Sequence, residues 1–168
     1  MRMPQPHPEP LSENFSPPPR LYKRILVGYN GSPSAEAALR TGRELALMSR
    51  SDLFVAAIEC LPNSDSADAF QTAVTAILRR YQENFYRLRI AGLNEGTRVE
   101  TFIALGDPAA FLVRKARQLR ASLLIVATDF ALSGGQADSV CERVVRETTC
   151  PVLVTPVTVA TVRTDEVG

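Results

Sequence analysis

Two short segments combine glycine with hydroxyl side chains: Asn30-Gly31-Ser32-Pro33-Ser34, and Ser133-Gly134-Gly135-Gln136-Ala137-Asp138-Ser139. Glycine lets the main chain approach a phosphate, and a helix beginning just beyond supplies N–H donors and the positive end of its dipole. Tyr29 precedes the first segment and could stack on a base through its ring, or serve as a core or rim aromatic. Glu59 reads as a solvated loop acid near the same place. Proton-transfer chemistry has little to work with, because the one histidine is His7, within a proline-rich start to the chain. The three cysteines, Cys60, Cys141 and Cys150, show no CxxC or CxC spacing. That argues against a disulfide framework or a structural zinc and suits a reducing cytoplasm. Cys141 falls in the first turn of a helix, where a thiol acidifies and redox sensing has a physical basis. Packing as a small hydrophobe is the preferred reading for all three cysteines. No nucleophile–base pair and no metal constellation emerges, so action by binding is expected, not catalysis.

The elements that must position these residues follow from composition and periodicity. Of 168 residues, 12 are proline. Seven of those prolines fall in residues 1–20, which read as an extended disordered tail that a partner could use as a PxxP ligand but that serves more simply as a spacer. Residues 21–158 suffice for one domain, and residues 159–168 read as a loose polar end. A net charge of +1 gives no electrostatic case for nucleic acid. The longest apolar runs are far short of a membrane span, and the N-terminus does not read as a signal peptide. Short apolar runs at Arg24–Tyr29, Leu53–Ile58, Val99–Leu105, Leu123–Ala127 and Val152–Val157 predict strands covered on both faces. Helical periodicity fills the gaps. The first helix, to about Met48, is capped by Ser32 with Pro33 following. The second covers about Asp68–Ala91, with a stripe of Phe70, Val74, Ile77, Leu78, Tyr81, Phe85 and Leu88, ended by Gly92. The third covers about Pro108–Arg120, capped by Asp107 and burying Phe111, Leu112, Ala116 and Leu119. The last starts near Ser139, where Ser139-x-x-Glu142 matches a capping box. Arg114, Lys115, Arg117 and Arg120 give the third helix a basic, solvated face, or a dock for an acidic partner.

Alternating strands and helices of these lengths require an α/β doubly wound parallel sheet with helices on both faces. Ligands of such sheets bind beyond the carboxyl ends of the strands, where the strand order reverses. Here the turns Tyr29–Ser34 and Thr128–Ser139 would meet there. Residue types narrow the choice of doubly wound fold. A phosphoacceptor receiver needs acids after strand one, an aspartate ending strand three and a lysine ending strand five; Asn30, Leu105-Gly106 and Thr155-Pro156 stand there instead. Asn30–Ser34 is short and carries Pro33, unlike a flavodoxin phosphate loop, and the dinucleotide signature GxGxxG is absent. Residues 133–139 resemble the SGGxDS loop of ATP pyrophosphatases, but with one residue too many and after the fourth strand where that motif follows the first.

Four segments in order resemble the universal stress protein (UspA-like) family: ILVGYNGSPSAEAAL (25–39), GDPAAFLVRKA (106–116), LLIVATDF (123–130) and SVCERVVRETTCPVLVTPV (139–157). The likeness spans about residues 22–157. It implies a Rossmann-like, adenine-nucleotide alpha-hydrolase-like single domain with strand order 3-2-1-4-5. It also implies a stress-response role and a homodimer paired through the fifth strand. Val152, Val154 and Val157 agree with that pairing, since they make an apolar, β-prone edge.

The ATP-binding branch of that family carries a loop of the form Gly-x-x-Gly, nine residues, then Gly-Ser or Gly-Thr. Against that pattern the first glycine is Ala127, the second is Phe130, the last is Asp138, and the spacing is two residues short; Ser139 alone is kept. Asp138 would set a carboxylate against a triphosphate, at a cost on the order of 1 kcal/mol. The aspartate that binders carry after strand one is Asn30, whose side-chain oxygen still accepts a hydrogen bond. The expectation is an interaction protein, with an unidentified protein partner, in which ATP binding is weak or lost and no cofactor is required. The alternative is an adenine-nucleotide binder using Gly134 and Gly135 as a shortened cradle, with slow hydrolysis at most. Its contacts would then fall on Tyr29, Asn30, Ala57, Val126, Ala127, Ser139 and Val140.

Overall fold

The computed structural model describes residues 21–60, 66–128 and 140–156. Five strands and four helices alternate: β1 (Arg24–Tyr29), α1 (Pro33–Ser49), β2 (Asp52–Glu59), α2 (Ala67–Asn94), β3 (Val99–Leu105), α3 (Pro108–Leu119), β4 (Leu123–Ala127), α4 (Val140–Glu147) and β5 (Val152–Thr155). All pairings are parallel and the sheet order is β3-β2-β1-β4-β5. The order reverses between β1 and β4, so the carboxyl ends of those two strands flank the crevice where ligands of such sheets bind.

The strands alternate between two cores, as period-two geometry requires. Ile25, Val27, Tyr29, Leu53, Val55, Ala57, Leu123, Ile125 and Ala127 face α1 and α2. Leu26, Phe54, Ala56, Ile58, Leu124 and Val126 face α3 and α4. Both faces are covered, which is why the strands read as continuous apolar runs.

Two of the expected helix caps form, at Ser32 and Asp107, and the third, Ser139, lies outside the described residues. Ser32 Oγ accepts from the Ala35 N–H at 3.1 Å, and Pro33 occupies the first helical position. Asp107 Oδ1 accepts from the N–H groups of Ala109 and Ala110 at 3.0 and 3.3 Å.

Three expectations need correction. Gly92 does not end α2: the helix runs on to Asn94 and its C-cap is Glu95. Gly92 is buried where the helix crosses β3, and a methyl there would collide with Val99 and lie 2.9 Å from the Thr97 carbonyl oxygen. The glycine is thus a close-approach residue and not a helix stop. The apolar stripe of α2 is fully buried only in its second half, at Tyr81, Phe85 and Leu88; Ile77 is partly buried against the same core, and Phe70 and Leu78 are exposed, because the first half of the 28-residue helix reaches only the margin of that core. Phe111 and Leu119 of α3 are partly buried at the margin of the second core, which Leu112 and Ala116 occupy fully. β5 is described over Val152–Thr155, so Val157 of the expected edge lies outside the described residues, as do both proposed tails, residues 1–20 and 159–168.

Candidate functional site

The crevice is built from the carboxyl ends of β1, β2 and β4. Tyr29 and Ala57 are register partners on β1 and β2. Ala127 lies at the end of β4 and in the same core layer as both. Val126 and Val140 belong to the opposite layer. All five side chains are buried, so a ligand at this place would meet the main chain of these residues and not their side chains. Asn30 is half-buried and accepts from the Ser32 N–H at 3.0 Å, which shapes the turn into α1. Ser139, Phe130, Asp138, Gly134 and Gly135 lie outside the described residues.

Tyr29 is a core aromatic. Its ring meets Tyr81 edge-on and Phe85 at a tilt, each with centroids 6.0 Å away, and its hydroxyl donates to Glu36. Burial, then the hydrogen bond and charge of Glu36, push the phenol well above its ordinary value. An open stacking platform for a base is therefore not what this ring offers. Glu59 is likewise no freely solvated loop acid: it accepts from the Tyr81 hydroxyl and pairs with Arg80 at 3.2 Å. Burial, with Glu59 next in effect, raises the Tyr81 phenol as well. Neither carboxylate–phenol pair is among the expectations from the sequence. Glu59 and Tyr81 are 22 positions apart, and only the crossing of α2 over the sheet joins them.

At the other face, Cys141 is buried and its Sγ–H donates to the Ala127 carbonyl at 3.0 Å. That bond draws the first turn of α4 onto the end of β4 and uses an acceptor at the crevice. Asp107 pairs with Arg143 of α4 at 2.8 Å, tying the two helices on this face. Burial works against the ionised carboxylate of Asp107, but the Arg143 hydrogen bond and the helix N–H groups outweigh it and hold the group below its ordinary value. The basic face of α3 is partly engaged with rings: Lys115 Nζ lies 3.7 Å from the Phe102 centroid and the Arg114 guanidinium 5.5 Å from that of Phe111. Cys60 is exposed and Cys150 half-buried, so the core-packing expectation holds fully for Cys141 alone. Among the described residues no group of three or more His, Cys, Asp or Glu could hold a metal, and no helix is long and apolar enough to cross a membrane.

The fold and the crevice define a class: a single doubly wound α/β domain whose ligand crevice is walled by buried, mostly small side chains. A family model described as the universal stress protein family matches residues 21–156. The chain belongs to that family. Among solved structures it is similar to a universal stress protein, UspA, from Lactobacillus plantarum, at 18% identity and TM-score 0.70, covering 80% of this chain and 97% of that one. A universal stress protein family structure from Burkholderia pseudomallei aligns at 26% identity and TM-score 0.66, covering 81% and 97%. A universal stress protein in complex with cAMP aligns at 25% identity and TM-score 0.55, covering 80% and 97%. Comparison with curated proteins gives no match.

Proposed function

We propose that this chain is a stress-response protein that acts by binding, as a homodimer paired through β5, with weak or no affinity for ATP. The observation that carries the reading is the edge of the sheet at β5. Leu153 and Val154 are more than a third exposed, and the described strand, Val152–Thr155, carries no charged residue. Beside it a cavity of about 450 Å³ is lined by Cys141, Glu142, Val145, Arg146 and Val154, and Val145 is 54% exposed. An apolar edge with open backbone groups invites a second strand.

Weak nucleotide affinity is supported by the same crevice residues. Ala127 places a methyl where the family's ATP binders carry glycine, and its carbonyl already accepts from Cys141. A second reading, binding of an adenine nucleotide through a shortened loop, is favoured by the relative solved with cAMP. Native mass spectrometry with and without Mg-ATP tests both. The expected result is a dimer that stays bare at millimolar ATP, and a monomer when Val154→Lys sets a charge on the edge. A monomeric wild type would overturn the dimer, and one nucleotide per subunit at micromolar ATP would overturn the loss of binding in favour of the second reading.

A further inference from the structure

α1 packs over β1 and β4, and α2 over β3. Because the two helices sit on different strands of one face, a gap remains between them, a cavity of about 450 Å³ whose lining includes no residue of β4 or α4. That volume falls within the range of small-molecule sites, roughly 300–1,000 Å³. Its inner wall is apolar and aromatic, formed by Tyr29, Leu39, Phe85 and Leu88. Its rim carries three guanidiniums, Arg40 and Arg43 from α1 and Arg87 from α2.

The charge at the cavity is lopsided. Glu36 is the one carboxylate in its lining, against three guanidiniums, and its Oε1 accepts from the Tyr29 hydroxyl. Arg43 is held by Glu95 at 2.7 Å and Arg87 by Glu83 at 2.6 Å; neither of those glutamates lines the cavity. Such pairing orients a guanidinium while leaving further N–H donors free, since each has five. Arg40 has no carboxylate within pairing distance among the described residues.

We propose that the α1–α2 cavity binds a small organic anion with an aromatic body, its ring against Phe85 and Leu88 and its anionic group among Arg40, Arg43 and Arg87. The apolar wall supplies burial and the guanidiniums supply charge-assisted hydrogen bonds at the mouth. Tyr29 links the two sites in the structure, since its ring lines this cavity while its main chain ends β1 at the crevice.

The test is an amide-resolved NMR titration of the full chain with naphthalene-1-sulfonate, and in parallel with the neutral naphthalene-1-sulfonamide. Saturable shifts confined to α1 and α2 are expected, with the sulfonamide weaker by about tenfold for want of charge-assisted bonds. Arg40 is exposed, so Arg40→Gln should leave the fold intact while weakening the sulfonate several-fold and the sulfonamide not at all. No shift at millimolar sulfonate would overturn the proposal. So would equal affinity for the neutral compound, or shifts centred on β4, α4 or β5. Because the readout is local to α1 and α2, it stands or falls independently of dimerisation and of ATP binding.

Discussion

The two faces of the sheet are covered by different means. On one, α1 is set close to the sheet by small residues: Ala35, Ala38, Gly42 and Ala46 are among its buried residues, and a methyl at Gly42 would stand 2.7 Å from Val27 Cγ2, while α2 brings the large side chains Tyr81, Phe85 and Leu88. The same face buries two phenols, each hydroxyl held by a carboxylate at the margin. On the other face, α3 and α4 add bulk at three aliphatic positions beside the small residues Ala109 and Ala116. Leu112, Val140 and Val144 fill the space above Leu26, Leu124 and Val126, and the polar tie between the helices, Asp107 to Arg143, stays at the surface. Close approach with polar margins leaves room beside the helices, and it is on that face that the basic cavity opens. Bulk with an apolar interior draws α4 down onto the end of β4 at the crevice. One parallel sheet thus supports a face that opens between its two helices and a face that opens only where α4 meets the β5 edge.

The difference can be broken most sharply at Leu112. It is fully buried, and Leu112→Ala should cost about 3 kcal/mol by cavity formation, read as a fall in the urea midpoint with an unchanged slope. A loss below about 1 kcal/mol would mean that the face collapses around the gap and is not held by bulk. Next in size is Gly92→Ala, the opposite kind of lesion. The added methyl must displace Val99 or the backbone at Thr97. Overpacking should cost about 2 kcal/mol, more than the gain from replacing a helical glycine. A neutral or stabilised variant would show that α2 can ride off β3 without penalty.

The smallest effect sharpens the polar tie. Asp107 sits below its ordinary carboxylate value of 3.8 in the folded protein. Its contribution is therefore present above that value and lost as pH falls through the depressed native one. Asp107→Asn keeps a capping oxygen but loses the ion pair. The carboxylate is 44% exposed, so the loss near neutral pH should be only about 0.5 kcal/mol. The gap between wild type and variant should close as the pH is lowered below 3.8. Denaturation curves at several pH values would show it, and a constant gap would assign the effect to the cap alone.

Much of the architecture is legible from residue types. Apolar runs mark the strands because both faces are covered, and Ser32-Pro33 and Asp107-Pro108 mark helix starts because hydroxyl and carboxylate oxygens satisfy free N–H groups there. Gly92 misleads because its sequence neighbourhood cannot distinguish a helix stop from a helix-to-strand contact. Phe70 and Leu78 mislead because a helical stripe states which side of a helix is apolar, not how far along it a core extends. Tyr29 is placed by sequence at the end of β1, next to the crevice, but whether its ring faces a ligand or the core depends on α2 arriving with Tyr81 and Phe85.

Local rules determined the order of elements, the parallel sheet, the caps and the family, because each rests on periodicity and on chemistry within a few residues. The tertiary structure alone decided which polar groups meet. The pairs Glu59–Tyr81, Arg43–Glu95 and Asp107–Arg143 join residues 22, 52 and 36 positions apart. No short-range pattern encodes them; each exists only because a helix, laid across the sheet at the spacing its packing residues allow, carries one partner to the other.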